Sequence, residues 1–303
     1  MAELPDIAAL AQEHAAPPVE PTFVNPAEDP SALAKASAKL ANTVKDPEPE
    51  PPSDTLVQLP GGLVRGAQVI RLAEVRELTG EHEEALARAA RAQPGSVVHF
   101  LNTLLECGVV RFGAEDPSQT QAFLRDTLVG DRDALLIGIR RATYGEDIEL
   151  EDWQCPECKN RADLTIPLAD IPVHKLEHPD KEITFDVKLR RGRTAEVRLA
   201  NGADQTAVFA SADQTVAERD SILLGRCLLA VRDADGTRHL TMGTEGALAR
   251  KLALPDRHAI LRELTERQPG PKFGEVKFTH QDCAKEVGLS IGLPDLFRDL
   301  NVA

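Results

Sequence analysis

The feature that most constrains the fold is an internal repeat with a period of 125 residues. When residues 131–171 are aligned without gaps on residues 256–296, 10 of the 41 positions are identical. Average amino-acid composition would give about 2 or 3 identities over such a length. The sequence therefore predicts an internal duplication, in which two homologous halves repeat one order of helices and strands.

Shorter similarities with drifting offsets precede the ungapped block. They are VQLPGG (57–62) with VKLRRG (187–192), VRELTG (75–80) with VRLANG (197–202), and LNTLLECGVV (101–110) with ILLGRCLLAV (222–231). Drifting offsets indicate that loops have been gained and lost between the copies. We predict copy A over residues 55–171, a linker over residues 172–183 and copy B over residues 184–303.

The repeat also brings two pairs of metal-ligand residues into register. Cys155 and Cys158 form the only C-x-x-C of the chain, and the 125-residue shift places them on His280 and Cys283. A strand pattern flanks each pair, which predicts a knuckle at the tip of a hairpin. Two knuckles face to face supply four tetrahedral ligands, a zinc-ribbon-like Cys₃His site. We predict one structural Zn²⁺ per chain, which joins the two halves and stabilises the fold.

Three other interpretations of the cysteines remain open. The pair Cys155 and Cys158 could be a metal-free relic, a thioredoxin-like redox pair or part of a catalytic zinc site. A redox pair favours a helix N-terminus beside a βαβ pattern, whereas residues 160–168 have the pattern of a strand. Catalytic zinc keeps one coordination position open, whereas four protein ligands close the shell.

The first 54 residues differ in composition from the rest of the chain. They contain 10 of the 21 prolines and carry 3 Lys against 10 Asp and Glu, a net charge of −7. This composition predicts a disordered, acidic, Pro-rich arm. Residues 31–44 nevertheless have the apolar spacing of a helix that could form on a partner. From residue 55 onward, helical and alternating patterns predict an α+β fold.

The charge and the cysteine count argue against several classes of protein. The formal net charge of −14 opposes binding to a nucleic-acid backbone or to an anionic membrane surface. The longest apolar runs fall short of the roughly 18 residues that span a bilayer, and the N-terminus lacks the pattern of a signal peptide. Five scattered cysteines do not indicate a disulfide framework. We therefore expect a cytoplasmic protein.

Outside the knuckles, several residues occupy equivalent places in the two copies. These are Cys107 with Cys227, the pair Asp131-Arg132 with Asp256-Arg257, and Trp153 with Phe278. We interpret the cysteines as buried core residues and the aromatic residues as packing beside the knuckles. The aspartates have the position of helix N-caps, each followed by an arginine at the surface or an interface. No Gly-rich phosphate loop or nucleophile elbow is present, and we predict that the protein is not an enzyme.

The order of the motifs resembles that of a known family. VQLPGG, VRELTGEHEEAL, FLNTLLECGVV, LVGDRDALLIGIRRATYG and CPEC are followed by a second round that ends in H-x-x-C and DLFRDL. This series is similar to the T-even phage-type baseplate hub assembly chaperones of contractile tails and phage-like contractile injection systems. The similarity covers residues 55–303. The family pattern often has two C-x-x-C pairs, and His280 stands where the second pair would have its first cysteine.

The resemblance implies a non-enzymatic role in assembling the baseplate hub, with hub, spike or tail-tube-initiator proteins as partners. A structural hub subunit that stays in the finished particle is the nearest alternative. An alternative of another class is a zinc-ribbon regulator that binds nucleic acid. The acidic residues Asp152, Glu157 and Asp282 beside the ligands argue against that alternative.

Overall fold

The computed structural model describes residues 55–211, 213–240, 246–298 and residue 300. These residues lie within a single unit, Pro52–Ala303. The acidic arm and the helical stretch expected within it lie outside the described residues. Among the described helices, none has both the length and the apolar character of a membrane-spanning segment.

The first half contains a three-stranded antiparallel sheet and four helices. The sheet has the order β1 (Leu56–Arg65), β2 (Gln68–Val75), β3 (Val109–Phe112). Helices α1 (Gly80–Ala92) and α2 (Val97–Gly108) connect β2 to β3. After β3 come α3 (Thr120–Asp126), α4 (Val129–Tyr144) and a hairpin of β4 (Asp147–Gln154) and β5 (Arg161–Pro167).

The second half follows the same order of elements. Its antiparallel sheet contains β7 (Thr184–Lys188), β8 (Thr194–Arg198), β9 (Leu228–Arg232) and an added edge strand, β10 (Arg238–Leu240). Helices α6 (Gly202–Val208) and α7 (Val216–Cys227) connect β8 to β9. After β10 come α8 (Ala247–Lys251), α9 (Leu254–Arg267), and a hairpin of β12 (Val276–Thr279) and β13 (Glu286–Leu289), which precedes α10 (Leu293–Leu296). The described chain is thus a mixed α/β protein, as the sequence patterns predict.

The region between the halves is ordered and meets the start of α4. Residues 172–183 contain β6 (Val173–His174) and α5 (Pro179–Glu182), and β6 pairs with β11 (Gly270–Pro271). Next to this pair, a Cβ added to Gly130 would lie only 1.5 Å from the carbonyl oxygen of Pro269. Gly270 itself has φ of +121°, which only glycine adopts readily. The two backbones therefore cross in contact, and glycine is required on both.

One prediction about β1 is wrong. Residues 55–62, TLVQLPGG, have the sequence pattern of a strand that ends in a Pro-Gly-Gly turn, but the strand continues to Arg65. Its pairing with β2 is instead interrupted between Gln58 and Leu63. Gly62, with φ of +74°, lets the backbone bulge and then resume its pairing.

The larger core cluster is shared by both ends of the described chain. It contains Leu59, Leu104 and Leu135 of the first half, together with Val276 and Leu289 of the β12–β13 hairpin. Leu59, Val276 and Leu289 are buried because a strand turns alternate side chains to one face, and Leu104 and Leu135 lie on the buried faces of α2 and α4. The C-terminal hairpin therefore completes the core of the first half.

A second cluster belongs to the second half alone. It packs Val197, Leu224 and Ile260 around Cys227, which is fully buried, as predicted. Cys107 is only partly buried, because the buried face of α2 is formed by its neighbours, such as Leu104 and Gly108.

The interpretation of Asp131 and Asp256 as helix N-caps is wrong, and of the two positions expected for the arginines, surface or interface, the surface is excluded. Asp131 and Asp256 are each the third residue of their helix and are 0% and 1% exposed. The Oδ1 atom of Asp131 accepts a hydrogen bond from the N–H of Gly61 at 2.6 Å. That of Asp256 accepts one from the N–H of Arg190 at 3.0 Å. Each carboxylate thus fixes the first β-hairpin of its own half to the helix that carries the carboxylate, α4 in the first half and α9 in the second.

The two arginines are equally internal. Arg132 and Arg257 are 2% and 8% exposed. Nη1 of Arg132 donates to the carbonyl oxygen of Leu124 at 2.8 Å, and Nη1 of Arg257 to that of Ala249 at 3.1 Å. Each arginine therefore joins its helix to the helix before it, through an acceptor eight residues earlier.

Candidate metal centre

Two hairpin tips present the four predicted ligands. Strands β4 and β5 leave residues 155–160 as their connecting turn, and β12 and β13 leave residues 280–285. The strands are anchored because one face of each hairpin carries buried apolar side chains, among them Ile148 and Val276. The two turns therefore extend from firmly packed stems.

The two knuckles have the same backbone conformation. The N–H of Cys155 donates to the carbonyl oxygen of Asn160 at 2.9 Å, and the N–H of Lys159 donates to that of Cys155 at 3.0 Å. Residues 280–285 repeat both bonds 125 positions later, at 2.9 and 2.8 Å. Lys159 and its equivalent, Ala284, have φ of 64° and 52°. A shared left-handed residue at this point turns both ligand side chains of each knuckle the same way.

The knuckles bring the four side chains into a single cluster. One ligand atom from each of Cys155, Cys158, His280 and Cys283 lies within 4.8 Å of all the others. Nδ1 of His280 is 3.5 Å from Sγ of Cys158 and 3.4 Å from Sγ of Cys283. Tetrahedral zinc with ordinary Zn–S and Zn–N bonds places sulfur and nitrogen about 3.5 Å apart. The four residues are therefore close enough to bind a metal ion, and their donor set suits zinc.

The thiols of the first knuckle have opposite pKa shifts. Burial raises the pKa of Cys155, but hydrogen bonds from the N–H groups of Cys158 and Glu157 outweigh it, and the pKa is lowered. For Cys158, the N–H of Asn160 lowers the pKa, but burial and the nearby sulfurs of Cys155 and Cys283 outweigh it, and the pKa is raised. Thiolates this close to one another need a cation between them, which the geometry of the cluster accommodates.

Aromatic side chains cover the cluster, as predicted. The rings of Trp153 and Phe278 meet edge to face, with centroids 5.2 Å apart and an angle of 69°. The Trp153 ring also lies 5.9 Å from that of His280. His280 is accordingly only 3% exposed, so water has little access to its imidazole.

Two polar contacts across the knuckles were missed by sequence reasoning. Nζ of Lys285 lies 2.5 Å from Oε2 of Glu157, and Nδ2 of Asn160 donates to Oδ2 of Asp282 at 3.1 Å. The 125-residue shift places Glu157 on Asp282 and Asn160 on Lys285. The contacts are therefore reciprocal, as across a two-fold axis. The shift that located the ligands could have paired these residues as well.

The fold and the cluster together define a class of protein. It is a mixed α/β protein in which two hairpins, distant in sequence, share a Cys₃His cluster that is close enough to bind a metal ion. The family described as T4 bacteriophage base plate protein matches residues 75–298, which include all four clustered residues. The chain belongs to this family, and the resemblance to baseplate proteins is confirmed at that level. Comparisons with curated proteins and with solved structures give no match.

Proposed function

We propose that the chain is a non-enzymatic, protein-binding factor for assembly of the baseplate hub of a contractile phage tail or a phage-like contractile injection system. The family match over residues 75–298 carries this proposal. Proteins of a baseplate function through contacts with one another, so hub, spike and tail-tube-initiator proteins are the proposed partners. The proposed location is the bacterial cytoplasm or the assembled particle.

The proposal includes one structural Zn²⁺ held by Cys155, Cys158, His280 and Cys283. Four protein ligands leave no open coordination position, which favours a structural over a catalytic role. The bound ion would stabilise the contact between the two knuckles, and its binding free energy would add to the free energy of folding.

We also propose that the two halves arose by internal duplication. The same order of elements, the repeated hydrogen bonds of the knuckles and the reciprocal contacts between them all support this origin. The equivalent internal contacts of Asp131 and Asp256 add to that support.

A rigid connection between the halves suits a protein-binding role. The β12–β13 hairpin contributes Val276 and Leu289 to the core of the first half. The four clustered residues place the tip of the same hairpin against the β4–β5 tip, and a bound ion would tie the two tips together. Surfaces held in fixed positions lose little conformational entropy when a partner binds. The chain can therefore present contacts from both halves to a partner as one preorganised surface.

The composition of purified particles tests this function. A factor that acts only during assembly should be abundant in producing cells and absent or strongly depleted in mature particles, as measured by quantitative mass spectrometry. Retention in a fixed ratio to the hub protein would contradict the assembly role and support the alternative, a structural hub subunit.

The carboxylates near the knuckles favour protein partners over nucleic acid. Asp152 forms an ion pair with Arg161, and Glu157 forms one with Lys285. Arg161 and Lys285 are thus already paired with carboxylates, and Nζ of Lys159 donates to a neutral carbonyl oxygen, that of Pro156, at 2.7 Å. Tight binding to a nucleic-acid backbone needs several unpaired positive charges. We expect no salt-sensitive binding to DNA or RNA in an electrophoretic shift assay.

A further inference from the structure

A large apolar groove lies where the first half meets α10 of the second half, and none of the four clustered ligand residues lines it. It has a volume of about 1010 Å³ and runs between the α1–α2 turn and α10. Its apolar lining comes from Pro94, Val97 and Phe100 on one side and from Leu293, Pro294 and Phe297 on the other. Pro94, Val97 and Pro294 are exposed, Phe100 and Leu293 are half-buried and Phe297 is buried. A concave apolar lining of this kind is typical of a binding site.

The rim of this groove is basic. Arg91 and Arg298 line it and are exposed. The Nε of Arg91 donates to a neutral acceptor, the carbonyl oxygen of Ala87, at 3.3 Å. Neither arginine has an ion pair within the part of the chain that the structure describes. Among the described lining residues the one acidic side chain is that of Asp295, whose Oδ2 accepts the N–H of Gly292 at 2.8 Å and so caps α10. The basic rim contrasts with the formal net charge of −14.

The walls also limit how a partner can bind. The described walls of the groove are helices and the α1–α2 turn, so this part of the chain provides no strand edge there for an added β-strand. An apolar floor between helices suits the apolar face of another helix, whose own backbone groups are already paired. The two rim arginines then attract acidic residues that flank that face.

We propose that this groove binds an amphipathic helix of a partner baseplate protein, with the apolar face of the helix on Val97, Phe100, Leu293 and Phe297, and acidic flanking residues near Arg91 and Arg298. The inference rests on the proposed function, since it names how one partner of an assembly factor is held. It adds the chemistry of the partner segment and its binding place, between the α1–α2 turn and α10.

The second half supplies a matched control. Val97 is the first residue of α2 and is 59% exposed. Val216 is the first residue of α7 and is 73% exposed, but it does not line the groove. Glutamate is favourable in the first turn of a helix, so Val97→Glu and Val216→Glu should both leave the fold intact. Circular dichroism and thermal unfolding check this for each variant.

The probe is a set of overlapping 20-residue peptides that cover the tail proteins encoded with this chain. Binding of each labelled peptide to the full-length protein is measured by fluorescence anisotropy. We expect the bound peptides to be amphipathic helices with acidic flanks. Val97→Glu should weaken their binding by about tenfold or more, because it places a charge in the apolar contact. Val216→Glu should change it by less than about twofold.

A charge-reversal arm tests the rim. The double variant Arg91→Glu/Arg298→Glu should bind the acidic peptides about tenfold more weakly than the wild type does. Peptides with lysine in place of the acidic residues should regain binding to that variant. Three results would each overturn the proposal. They are an absence of bound peptides, an effect of Val216→Glu equal to that of Val97→Glu, and a small molecule that native mass spectrometry finds tightly held in the groove.

Co-purification separates this proposal from the proposed function. If baseplate proteins co-purify equally with the wild-type chain and with Val97→Glu, the groove proposal fails and the assembly role stands. If no baseplate protein co-purifies with the wild-type chain, the assembly role fails, whatever the peptides show.

Discussion

Asp131 and Asp256 occupy equivalent positions but have different partners, so one kind of substitution should have opposite effects at the two sites. In both, Oδ1 accepts a backbone N–H. Oδ2 of Asp256 is 2.6 Å from Nη2 of Arg193, whereas Oδ2 of Asp131 is buried and has no hydrogen-bond partner among the described residues. Asp131→Asn keeps one acceptor and removes a buried charge, while Asp256→Asn leaves Arg193 without its anion.

The size of the effect at Asp131 follows from its pKa. Burial raises that pKa from 3.8 to about 7, against the opposing influence of the Gly61 N–H and the charge of Arg71. The folded chain therefore holds this proton more tightly than the unfolded chain, so the stability that the proton supplies is complete below about pH 4 and is lost as the pH rises to about 7. The expected loss between about pH 5 and about pH 8 is about 2 to 3 kcal/mol. Asp131→Asn cannot titrate and should escape this loss.

Urea unfolding of the wild type and both variants, at about pH 5 and about pH 8 with a fixed zinc concentration, measures this difference. Between the lower and the higher pH, the free energy of unfolding of Asp131→Asn should rise by about 2 to 3 kcal/mol relative to that of the wild type. Asp256→Asn should be less stable than the wild type at both pH values, by about 1 to 3 kcal/mol. Parallel pH dependence in the wild type and Asp131→Asn would refute the reasoning.

Two further predictions concern the metal and the backbone crossing. The purified chain should contain about one zinc ion, and the double variant Cys158→Ser/Cys283→Ser should contain none by elemental analysis; equal zinc content would contradict the ligand assignment. Gly130→Ala should lower stability by about 3 kcal/mol or more, because its Cβ would lie 1.5 Å from a carbonyl oxygen that cannot move away. The control Gly80→Ala, with no atom within 4 Å of its Cβ, should be neutral or slightly stabilising. Equal melting temperatures for Gly130→Ala and Gly80→Ala would contradict the close backbone contact at Gly130.

The metal cluster could be predicted from sequence because its information is local and repeated. Each ligand pair lies in a short turn between alternating strands, and the constant shift of 125 residues brings Cys155 onto His280 and Cys158 onto Cys283. The alternation also located β4 and β5. Metal binding, the identity of the ion and the duplication remain predictions.

Features that depend on distant contacts could not be predicted. Asp131 has the local pattern of an N-cap, but its partner is the N–H of Gly61, 70 residues earlier. The sequence also does not reveal that Gly130 touches the backbone at Pro269. In each case the residue type is explained by a neighbour that only the folded chain brings near, and the local pattern favours a different interpretation.

The shared core has a consequence for the order in which the chain folds during synthesis. Leu104 and Leu135 of the first half are translated long before Val276 and Leu289, yet the four belong to one buried cluster. Until the last hairpin leaves the ribosome, the first half must keep part of its apolar surface exposed to the crowded cytosol. A nascent chain stalled before residue 276 should therefore be bound by chaperones or attacked by proteases, and its protection should appear late and abruptly.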